Sequence, residues 1–398
     1  MNWYCMQLGA REHYAIPRAL HAKGVLTGLF TDVWVPPANP LGLLKRALQQ
    51  RFHPELANAR VTAANFPMMR FEVQTWIRGM RDWNQIMARN DWFQQLSLRV
   101  LEREKGAFTK PTTIFAYSYA ALAAFRFAKA SGLRTVLGQI DAGPEMSRIV
   151  SELRGRHPDF SGRGSTPPPA YWNHWREECA LADAIVVNSE WSRNALAVAG
   201  IDSAKVQIIP LAYQPPGAAV AFQRGYPSGF TRERPLRVLF LGQVNLAKGI
   251  VPVLEAADRL RNEPVEFYIV GPMLVRVPEG WLRQPQIRWC GPVSRAEVAA
   301  QYQSADVFLF PTFSDGFGLT QLEAQAWKLP IIASKFCGNV VKDGVNGFLL
   351  PELTVEAIVN SLRRCLEQPA LLSKLSNASF VAPEFQMDNV ISKLQKTV

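Results

Sequence analysis

The sequence lacks the cysteine patterns that cross-link secreted proteins or hold structural metals. Its 398 residues include five scattered cysteines, and no two of them form a Cys-x-x-Cys pair. Disulfide frameworks and zinc sites both require closely spaced ligands. We therefore expect free thiols in a reducing compartment, with neither a disulfide framework nor a zinc site.

Targeting and metal-binding patterns are missing as well. The first residues have neither the basic start nor the unbroken apolar stretch of a signal peptide. No apolar run approaches the ~20 residues that a membrane-spanning helix requires. There is no Asp-x-Asp pair and no ligand-like spacing among the five histidines, so we expect no metal and no cofactor. These absences predict a cytoplasmic protein, either free or bound to the inner face of a membrane.

Positive charge is concentrated in the first half of the chain. Residues 1–212 hold 25 Lys and Arg against 17 Asp and Glu, whereas residues 213–398 hold 19 against 16. Such a surplus suits an anionic membrane, a nucleic acid or a phosphorylated substrate. Because no nucleic-acid-binding module accompanies the charge, we disfavour nucleic acid as a partner.

The stretch from Leu41 to Lys105 is predicted to be helical and mixes aromatic side chains with arginines. Two interpretations stay open. Its aromatic residues could form core while its arginines face water, as in an ordinary surface helix, or the stretch could lie on an anionic membrane.

Apolar strand-like runs alternate with helical segments along the rest of the chain. In the first half the predicted strands are Trp3 to Leu8, Val25 to Val35, Thr113 to Tyr117, Arg134 to Ile140, Ala184 to Asn188 and Ile208 to Leu211. In the second half they are Arg237 to Leu241, Val265 to Val270, Ile287 to Cys290, Val307 to Phe310 and Leu329 to Ala333. This alternation predicts an α/β protein with two doubly wound, Rossmann-like domains facing each other across a cleft.

Composition sets the expected boundaries. Residues 213–235 are dense in proline, glycine and arginine and are predicted to be a linker. The first domain would then cover 1–212 and the second 236–382. Residues 383–398 would form a terminal helix, for which a return to the first domain is an open alternative. Residues 154–170, rich in glycine, proline and serine, are predicted to be a surface loop.

The most informative stretch runs from Phe310 to Ser334. It predicts a strand, a glycine-bearing turn, a helix and a second strand, and it places Asp315 and Glu323 with seven residues between them. A helix that begins after such a turn presents free N–H groups to an anion. Thr320-x-x-Glu323 also matches a capping box, so Glu323 could instead serve the helix start.

Several runs resemble the retaining GT-B glycosyltransferases of family four. They are VLFLGQVNLAKGIVPVLEAADRL from Val238, YIVGP at Tyr268, ADVFLFPTFSDGFGLTQLEAQAWKLPIIAS from Ala305, DGVNGFLL from Asp343, EECALADAIVVNSEWSRNAL from Glu177 and VQIIPLAY from Val206. The most specific feature is the pair of acids with seven residues between them. The resemblance is strong over residues 177–350 and weak before them.

The resemblance implies roles for individual residues. Asp315 would hold the transferred sugar, Glu323 the ribose and Lys248 the phosphates of a nucleoside-diphosphate sugar. Carboxylates suit the first two tasks because each accepts hydrogen bonds from neighbouring hydroxyls. The remaining donor-binding positions implied are Gly9, Gly242, Gln243, Val293, Gly316, Phe317, Gly318 and Leu319.

The sequence departs from the family pattern at three positions that matter for chemistry. Gln243 replaces the usual arginine, so one phosphate-binding cation is missing or comes from elsewhere. Asp315 replaces the commoner glutamate. No histidine stands at VLGQIDAGP, where the family places a catalytic one, and Asp141 is predicted to take its place.

Together these observations predict a retaining glycosyltransferase that moves a sugar from a nucleoside diphosphate to an acceptor hydroxyl, in the synthesis of a cell-surface polysaccharide or glycolipid. The expected partners are the donor, a carbohydrate or lipid-linked acceptor and an anionic membrane surface. A sugar-nucleotide epimerase or phosphorylase of the same fold is one alternative. A catalytically weakened donor-binding or scaffold protein is another.

Overall fold

A seven-stranded parallel sheet forms the centre of the first domain. The computed structural model describes residues 2–37, 48, 51–108, 111–160 and 166–397. Across this sheet the strands stand in the order β3-β2-β1-β4-β5-β6-β7. Their bounds are β1 (Asn2–Gln7), β2 (Leu26–Thr31), β3 (Val61–Ala63), β4 (Thr112–Tyr117), β5 (Arg134–Gly138), β6 (Ala184–Val187) and β7 (Val206–Ile208).

A second parallel sheet of six strands forms the centre of the other domain, in the order β10-β9-β8-β11-β12-β13. Its strands are β8 (Leu236–Leu241), β9 (Val265–Val270), β10 (Ile287–Gly291), β11 (Val307–Phe310), β12 (Ile331–Ala333) and β13 (Gly347–Leu349). The prediction of two doubly wound α/β domains is confirmed.

Helices connect the strands and cover both faces of each sheet. The α-helices of the first domain are Ala15–Ala22, Asn65–Ile77, Asp82–Glu104, Leu122–Ala130, Pro144–Arg156, Pro169–Leu181 and Glu190–Val198. Those that follow are Gly217–Val220, Ile250–Arg259, Glu279–Leu282, Arg295–Ser304, Leu319–Ala326, Val355–Glu367, Pro369–Asn377 and Met387–Lys396. Short 3-10 turns occur at Arg11–Tyr14, Pro54–Leu56, Lys105–Ala107, Pro158–Phe160, Ser203–Lys205 and Pro383–Phe385.

The strand orders determine where a ligand can bind. In each sheet the order reverses at one place, between β1 and β4 in the first and between β8 and β11 in the second. Loops leave in opposite directions at such a point and open a crevice at the carboxyl ends of the strands. The loops after β1 and β4 in the first sheet, and after β8 and β11 in the second, therefore border these crevices.

The terminal helix returns to the first domain. Val390, Ile391 and Leu394 on helix Met387–Lys396 are buried in the apolar cluster that contains Ile16 and Leu20 of helix Ala15–Ala22. Burial of these side chains stabilises the crossing, because removal of apolar surface from water is the main favourable term in folding. The last residues thus support the first domain, although they follow the second in sequence.

The connecting segment 213–235 is fixed to the second domain through Arg224. Its guanidinium donates hydrogen bonds to the carbonyl oxygens of Tyr302 at 2.7 Å and Trp327 at 2.9 Å, and to that of Ala305. Arg234 forms a two-pronged ion pair with the buried Asp306 at 2.7 Å. The segment is therefore held in place by these contacts, although it is rich in proline and glycine.

The structure corrects several local predictions. The predicted strand Val25 to Val35 ends at Thr31, and Val61–Ala63 is a strand inside the stretch predicted to be helical. Within that stretch, residues 41–47, 49 and 50 lie outside the described residues. Residues 154–156, which were predicted to belong to a surface loop, instead form the last turn of helix Pro144–Arg156. Residues 161–165 of the predicted loop lie outside the described residues.

The helix Pro144–Arg156 matters because it reaches the second domain. Its Leu153, together with Phe160, is buried in the main apolar cluster of that domain. None of the helices in the described part of the chain has the length and apolar character needed to cross a bilayer.

Leu394→Ala is expected to lower the free energy of unfolding by about 2–5 kcal/mol, because the substitution leaves a cavity between the terminal helix and the first domain. The urea midpoint measured by tryptophan fluorescence tests this. Gln395→Ala, an exposed position on the same helix, is the control and should change little. Equal midpoints for the two variants would contradict a supporting role for this helix.

Candidate active site

A cavity of about 310 Å³ lies between the two domains at the carboxyl ends of their strands. Its second-domain wall consists of Phe240, Leu241, Gly242, Lys248, Phe310, Asp315, Phe317, Gly318, Leu319 and Thr320. Its first-domain wall consists of Arg11, Glu12, Ile140, Asn188 and Leu211. Because residues from β8, β11 and the loop after β1 meet here, the cavity occupies the crevice that the strand orders predict. We refer to it as the cleft cavity.

Lys248 and Asp315 form an ion pair in the cleft cavity. Lys248 Nζ donates to Asp315 Oδ2 and also lies 5.7 Å from the centre of the Phe310 ring. The backbone N–H of Phe317 donates to Asp315 Oδ1 at 3.2 Å, which orients the carboxylate. Both charged side chains are about one-fifth exposed, so a ligand can reach each of them. The cavity thus offers an anion-binding cation beside an acceptor for hydroxyl groups.

The helix behind this pair begins at Leu319, with Gly318 at its N-cap in the left-handed region at a φ of 81°. A Cβ at Gly318 would stand 2.5 Å from the Phe310 ring, so this turn requires glycine. Since Gly318 is the N-cap, Thr320 lies inside the helix and the capping-box interpretation of Glu323 is wrong. Leu319 and Thr320 line the cleft cavity, so the start of this helix, with its free N–H groups, lies at the cavity wall.

Glu323 lies one turn into this helix and does not line the cleft cavity. Its Oε2 accepts a hydrogen bond from Tyr302 at 2.8 Å. Burial and the neighbouring Glu323 carboxylate raise the pKa of Tyr302 well above its usual value, so the hydroxyl remains a donor. The position of the Glu323 carboxylate is therefore set by the tyrosine.

The other predicted donor-binding residues divide into two groups. Gly242, Phe317, Gly318 and Leu319 line the cleft cavity, whereas Gly9, Gln243, Val293 and Gly316 do not. Gly9 donates its N–H to Asp32 Oδ1 at 2.9 Å, so the first glycine turn is closed by an internal bond. Gln243 is exposed, and Val293 packs against the apolar cluster of the second domain.

At Gly316 the backbones of the two domains are in close contact. A Cβ at this position would lie 2.1 Å from the carbonyl oxygen of Ile140. The Gly316 carbonyl accepts a hydrogen bond from Ser189 Oγ at 2.7 Å, and Trp191 Nε1 donates to Ser314 Oγ at 3.0 Å. The loop that carries Asp315 is thereby fixed against the first domain.

Asp141 is not in the cleft cavity, in contrast to the predicted catalytic assignment. Its neighbour Ile140 lines the cleft, but Asp141 lines a separate cavity within the first domain. Hydrogen bonds from Tyr119, Gln139 and Gly143 to the Asp141 carboxylate hold it there. The structure therefore places the Asp141 side chain in a different cavity from Asp315 and Lys248, although the Asp141 backbone packs against Gly316.

Three polar or charged first-domain residues that line the cleft were not predicted from the sequence: Arg11, Glu12 and Asn188. Asn188 Nδ2 and Tyr117 OH each donate to Glu12 at 3.1 Å. Burial raises the pKa of Glu12, while these two hydrogen bonds lower it. The sequence signal available was their position, since Arg11 and Glu12 belong to the turn that follows β1 and Gly9.

The backbone around Glu12 is strained. Glu12, His13 and Tyr14 are consecutive non-glycine residues with φ values of 52°, 51° and 59°. Residues of this kind adopt the left-handed region at a cost and concentrate at functional sites. The turn places Glu12 over Tyr117 and Asn188, and it leaves the buried Arg11 Nε without a hydrogen-bond partner in the described structure.

Comparison with known proteins agrees with this geometry. Residues 235–368, which carry Lys248, Asp315 and Glu323, match the family described as glycosyl transferases group 1. One similar protein is the D-inositol 3-phosphate glycosyltransferase of Kineococcus radiotolerans, 29% identical over 223 residues, or 48% of this chain and 50% of the relative. The chain thus spans about half the length of the curated relatives it matches.

Solved structures extend the likeness beyond the group 1 domain to the whole chain. Anabaena HepE in complex with UDP superposes with a TM-score of 0.61 at 14% identity, over 100% of this chain and 99% of that one. Sucrose-phosphate synthase from Thermosynechococcus elongatus gives a TM-score of 0.63 at 17% identity, over 100% and 98%. The fold is GT-B, as predicted.

Gly316→Ala is expected to separate the domains while leaving each one folded. The added Cβ would overlap the Ile140 carbonyl, whereas the ordinary φ of Gly316 accepts alanine within its own domain. Small-angle X-ray scattering should show a larger radius of gyration than in the unmodified protein. Gly280→Ala, which would meet no atom within 4 Å, is the control. An unchanged scattering curve for Gly316→Ala would refute the close contact.

Proposed function

We propose that this protein is a retaining glycosyltransferase of family four, which transfers a sugar from a nucleoside diphosphate to an acceptor hydroxyl. The observation that carries the proposal is the placement of Lys248 and Asp315 together at the start of helix Leu319–Ala326, inside a group 1 domain. A cation and free helix N–H groups suit a diphosphate, and a carboxylate suits sugar hydroxyls.

In the proposed complex the donor spans the second-domain wall. Its diphosphate lies between Lys248 and the N-terminus of helix Leu319–Ala326, with the transferred sugar toward Asp315 and the ribose toward Glu323. Lys248 must exchange its contact with Asp315 for phosphate when the donor binds. The carboxylate released by this exchange is then available to the hydroxyls of the sugar. The structures of HepE with UDP and with UDP-glucose make UDP-sugars the first donors to test.

Arg11 is the proposed source of the second phosphate cation, in place of the arginine that Gln243 replaces. It lines the cleft cavity from the opposite wall and has an unpaired buried Nε, whereas Gln243 is exposed. A guanidinium can bind phosphate through two parallel hydrogen bonds. Under this proposal, donor binding draws the first domain toward the phosphates.

Catalysis would depend on stabilisation of the departing nucleoside diphosphate. Negative charge develops on the leaving phosphate as its bond to the sugar breaks, and in the proposed complex Lys248 and the helix N-terminus would lie beside that charge. Closure of the two domains would align the acceptor hydroxyl and exclude water. The acceptor oxygen would bond to the sugar carbon on the face that the phosphate leaves, which retains the configuration, and the proton of the acceptor hydroxyl would pass to the departing phosphate.

We further propose that the protein works at an anionic membrane face, in assembly of a cell-surface polysaccharide or glycolipid. Helix Asn65–Ile77 supports this, because both of its faces are apolar. One face is buried through Met68, Phe71 and Thr75. The opposite face exposes Phe66, Met69, Val73, Trp76 and Ile77, with Phe66 76% and Trp76 80% exposed.

Basic residues border this exposed apolar face. Arg70, Arg78 and Arg81 are exposed next to it, whereas Arg89 is paired with Glu72. An apolar face with a basic border binds anionic bilayers by combining apolar burial with charge attraction. The aromatics of the stretch Leu41 to Lys105 are thus divided, since Trp76 is exposed and Trp92 packs on Phe71.

The donor proposal is tested by thermal shift with UDP-, GDP- and ADP-sugars, since a bound donor stabilises the folded state by mass action. At least one class should raise the melting temperature and release nucleoside diphosphate with an acceptor present. Stabilisation without turnover under any condition would favour a donor-binding protein. Turnover without an acceptor, or with inorganic phosphate, would favour an epimerase or a phosphorylase.

Glu323→Ala is expected to weaken donor binding and reduce transfer by at least about 100-fold, because a half-buried carboxylate proposed to bind hydroxyls is lost. The melting temperature without donor should change little. Glu352→Ala, at an exposed loop position of the same domain, is the control. Full activity of Glu323→Ala would remove Glu323 from the proposed site.

Replacement of Phe66 and Trp76 by serine is expected to weaken binding to phosphatidylglycerol vesicles roughly tenfold for each aromatic removed. Co-sedimentation with these vesicles measures the effect. Val198→Ser, an exposed apolar position on another helix of the first domain, should bind as the unmodified protein does. Equal sedimentation of all variants would exclude this helix as the membrane contact.

A further inference from the structure

A second cavity, of about 160 Å³, lies entirely within the first domain. Trp83, Tyr119, Asp141, Tyr171 and Trp172 line it, and Arg154 lies at its wall. The glycosyl transferases group 1 match does not include it, because that match begins at residue 235. We refer to it as the aromatic cavity.

Four aromatic side chains build one wall of the aromatic cavity. The rings of Tyr119 and Tyr171 are stacked with centroids 4.8 Å apart. Trp83 and Trp172 meet Tyr171 edge to face, at 4.8 Å and 5.0 Å. These contacts fix the rings in place without filling the cavity, so the wall is rigid, apolar and only partly covered.

Asp141 provides the polar group on this wall, and its rotamer is fixed. Tyr119 OH, Gln139 Nε2 and the Gly143 N–H donate to it at 2.6, 2.9 and 2.8 Å. Gln139 is itself held by Trp175 Nε1 at 2.9 Å. All three donors use Oδ1, so Oδ2 is the carboxylate oxygen available to a ligand.

The aromatic cavity and the cleft cavity are lined by consecutive residues of the chain. Ile140 lines the cleft, Asp141 lines the aromatic cavity, and the Gly316 backbone packs against both residues. A molecule in the aromatic cavity would therefore lie beside the loop that carries Asp315. In a transfer reaction the acceptor must bind next to the donor, and the proposed donor site lies at this loop.

The chemistry of the wall selects among ligand classes. A pyranose ring presents C–H groups on its faces and hydroxyl groups around its rim, and these match aromatic rings and a carboxylate oxygen respectively. A phosphate would meet the Asp141 charge. Drug-sized ligands occupy pockets of roughly 300–1,000 Å³, so this smaller space suits a single ring.

We propose that the aromatic cavity binds one sugar ring of a carbohydrate acceptor. This inference rests on the proposed glycosyl transfer and adds the acceptor class to it. It also assigns Asp141 a role in place of the catalytic one predicted from sequence: its Oδ2 accepts a hydrogen bond from an acceptor hydroxyl, and Tyr119 and Gln139 position it.

The test is titration of the protein with methyl glucoside, methyl galactoside and methyl mannoside in the presence of UDP. Trp83 and Trp172 report binding through their fluorescence. At least one glycoside should give saturable quenching. Asp141→Asn keeps an oxygen for the three internal donors but replaces Oδ2 by an amide, so it should weaken that binding about tenfold or more.

Two controls separate this inference from the donor proposal. Phe380→Leu, an exposed aromatic position in the second domain, should bind the glycoside normally. The shift in melting temperature caused by UDP-sugars should be unchanged in Asp141→Asn. Quenching by none of the glycosides, or equal affinity in Asp141→Asn, would overturn the acceptor assignment even when donor binding is intact. Absence of any donor-induced shift would instead overturn the proposed transfer.

Discussion

The arrangement of the cleft depends on one close backbone contact, between Gly316 and the carbonyl of Ile140. A Cβ at Gly316 would lie 2.1 Å from that oxygen, so no other residue type fits the observed arrangement. Ser189 adds a hydrogen bond from the N-cap of helix Glu190–Val198 to the Gly316 carbonyl. Because Asp315 is the preceding residue, this contact also sets how close the first domain comes to the Asp315 carboxylate.

Both walls of the cleft follow from parallel sheet topology. Parallel strands end at a common edge, and the reversal of strand order after β1 and after β8 opens that edge. The second-domain wall supplies Lys248, Asp315 and a helix start, which suit a diphosphate sugar. The first-domain wall supplies Arg11 and the strained, hydrogen-bonded Glu12, and neither residue lies in the segment 235–368 that matches the group 1 family.

Helix Asn65–Ile77 and the aromatic cavity connect the first domain to its proposed partners. Helix Asp82–Glu104, which follows the exposed apolar face, begins beside that cavity, where Trp83 packs on Tyr171. An acceptor held at a membrane surface could thus approach Asp141 and the cleft from one side. The basic surplus of the first half of the chain suits the same surface.

Apolar strand-like runs alternate with helical segments, with glycine turns between them, in both halves of the sequence. This pattern determined the doubly wound architecture. It also determined the turn that carries Asp315, whereas the roles that the family resemblance implies for Lys248 and Asp315 stay predictions. Two elements were not predicted. Strand Val61–Ala63 has only three residues, too few to show an alternating pattern, and the Gly-Pro pair before helix Pro144–Arg156 is as typical of a turn as of a helix start. Only the tertiary structure decided the direction of Asp141, the entry of Arg11 and Glu12 into the cleft, and the exposure of Trp76. Each of these depends on contacts between residues far apart in the chain, and the local sequence does not determine such contacts.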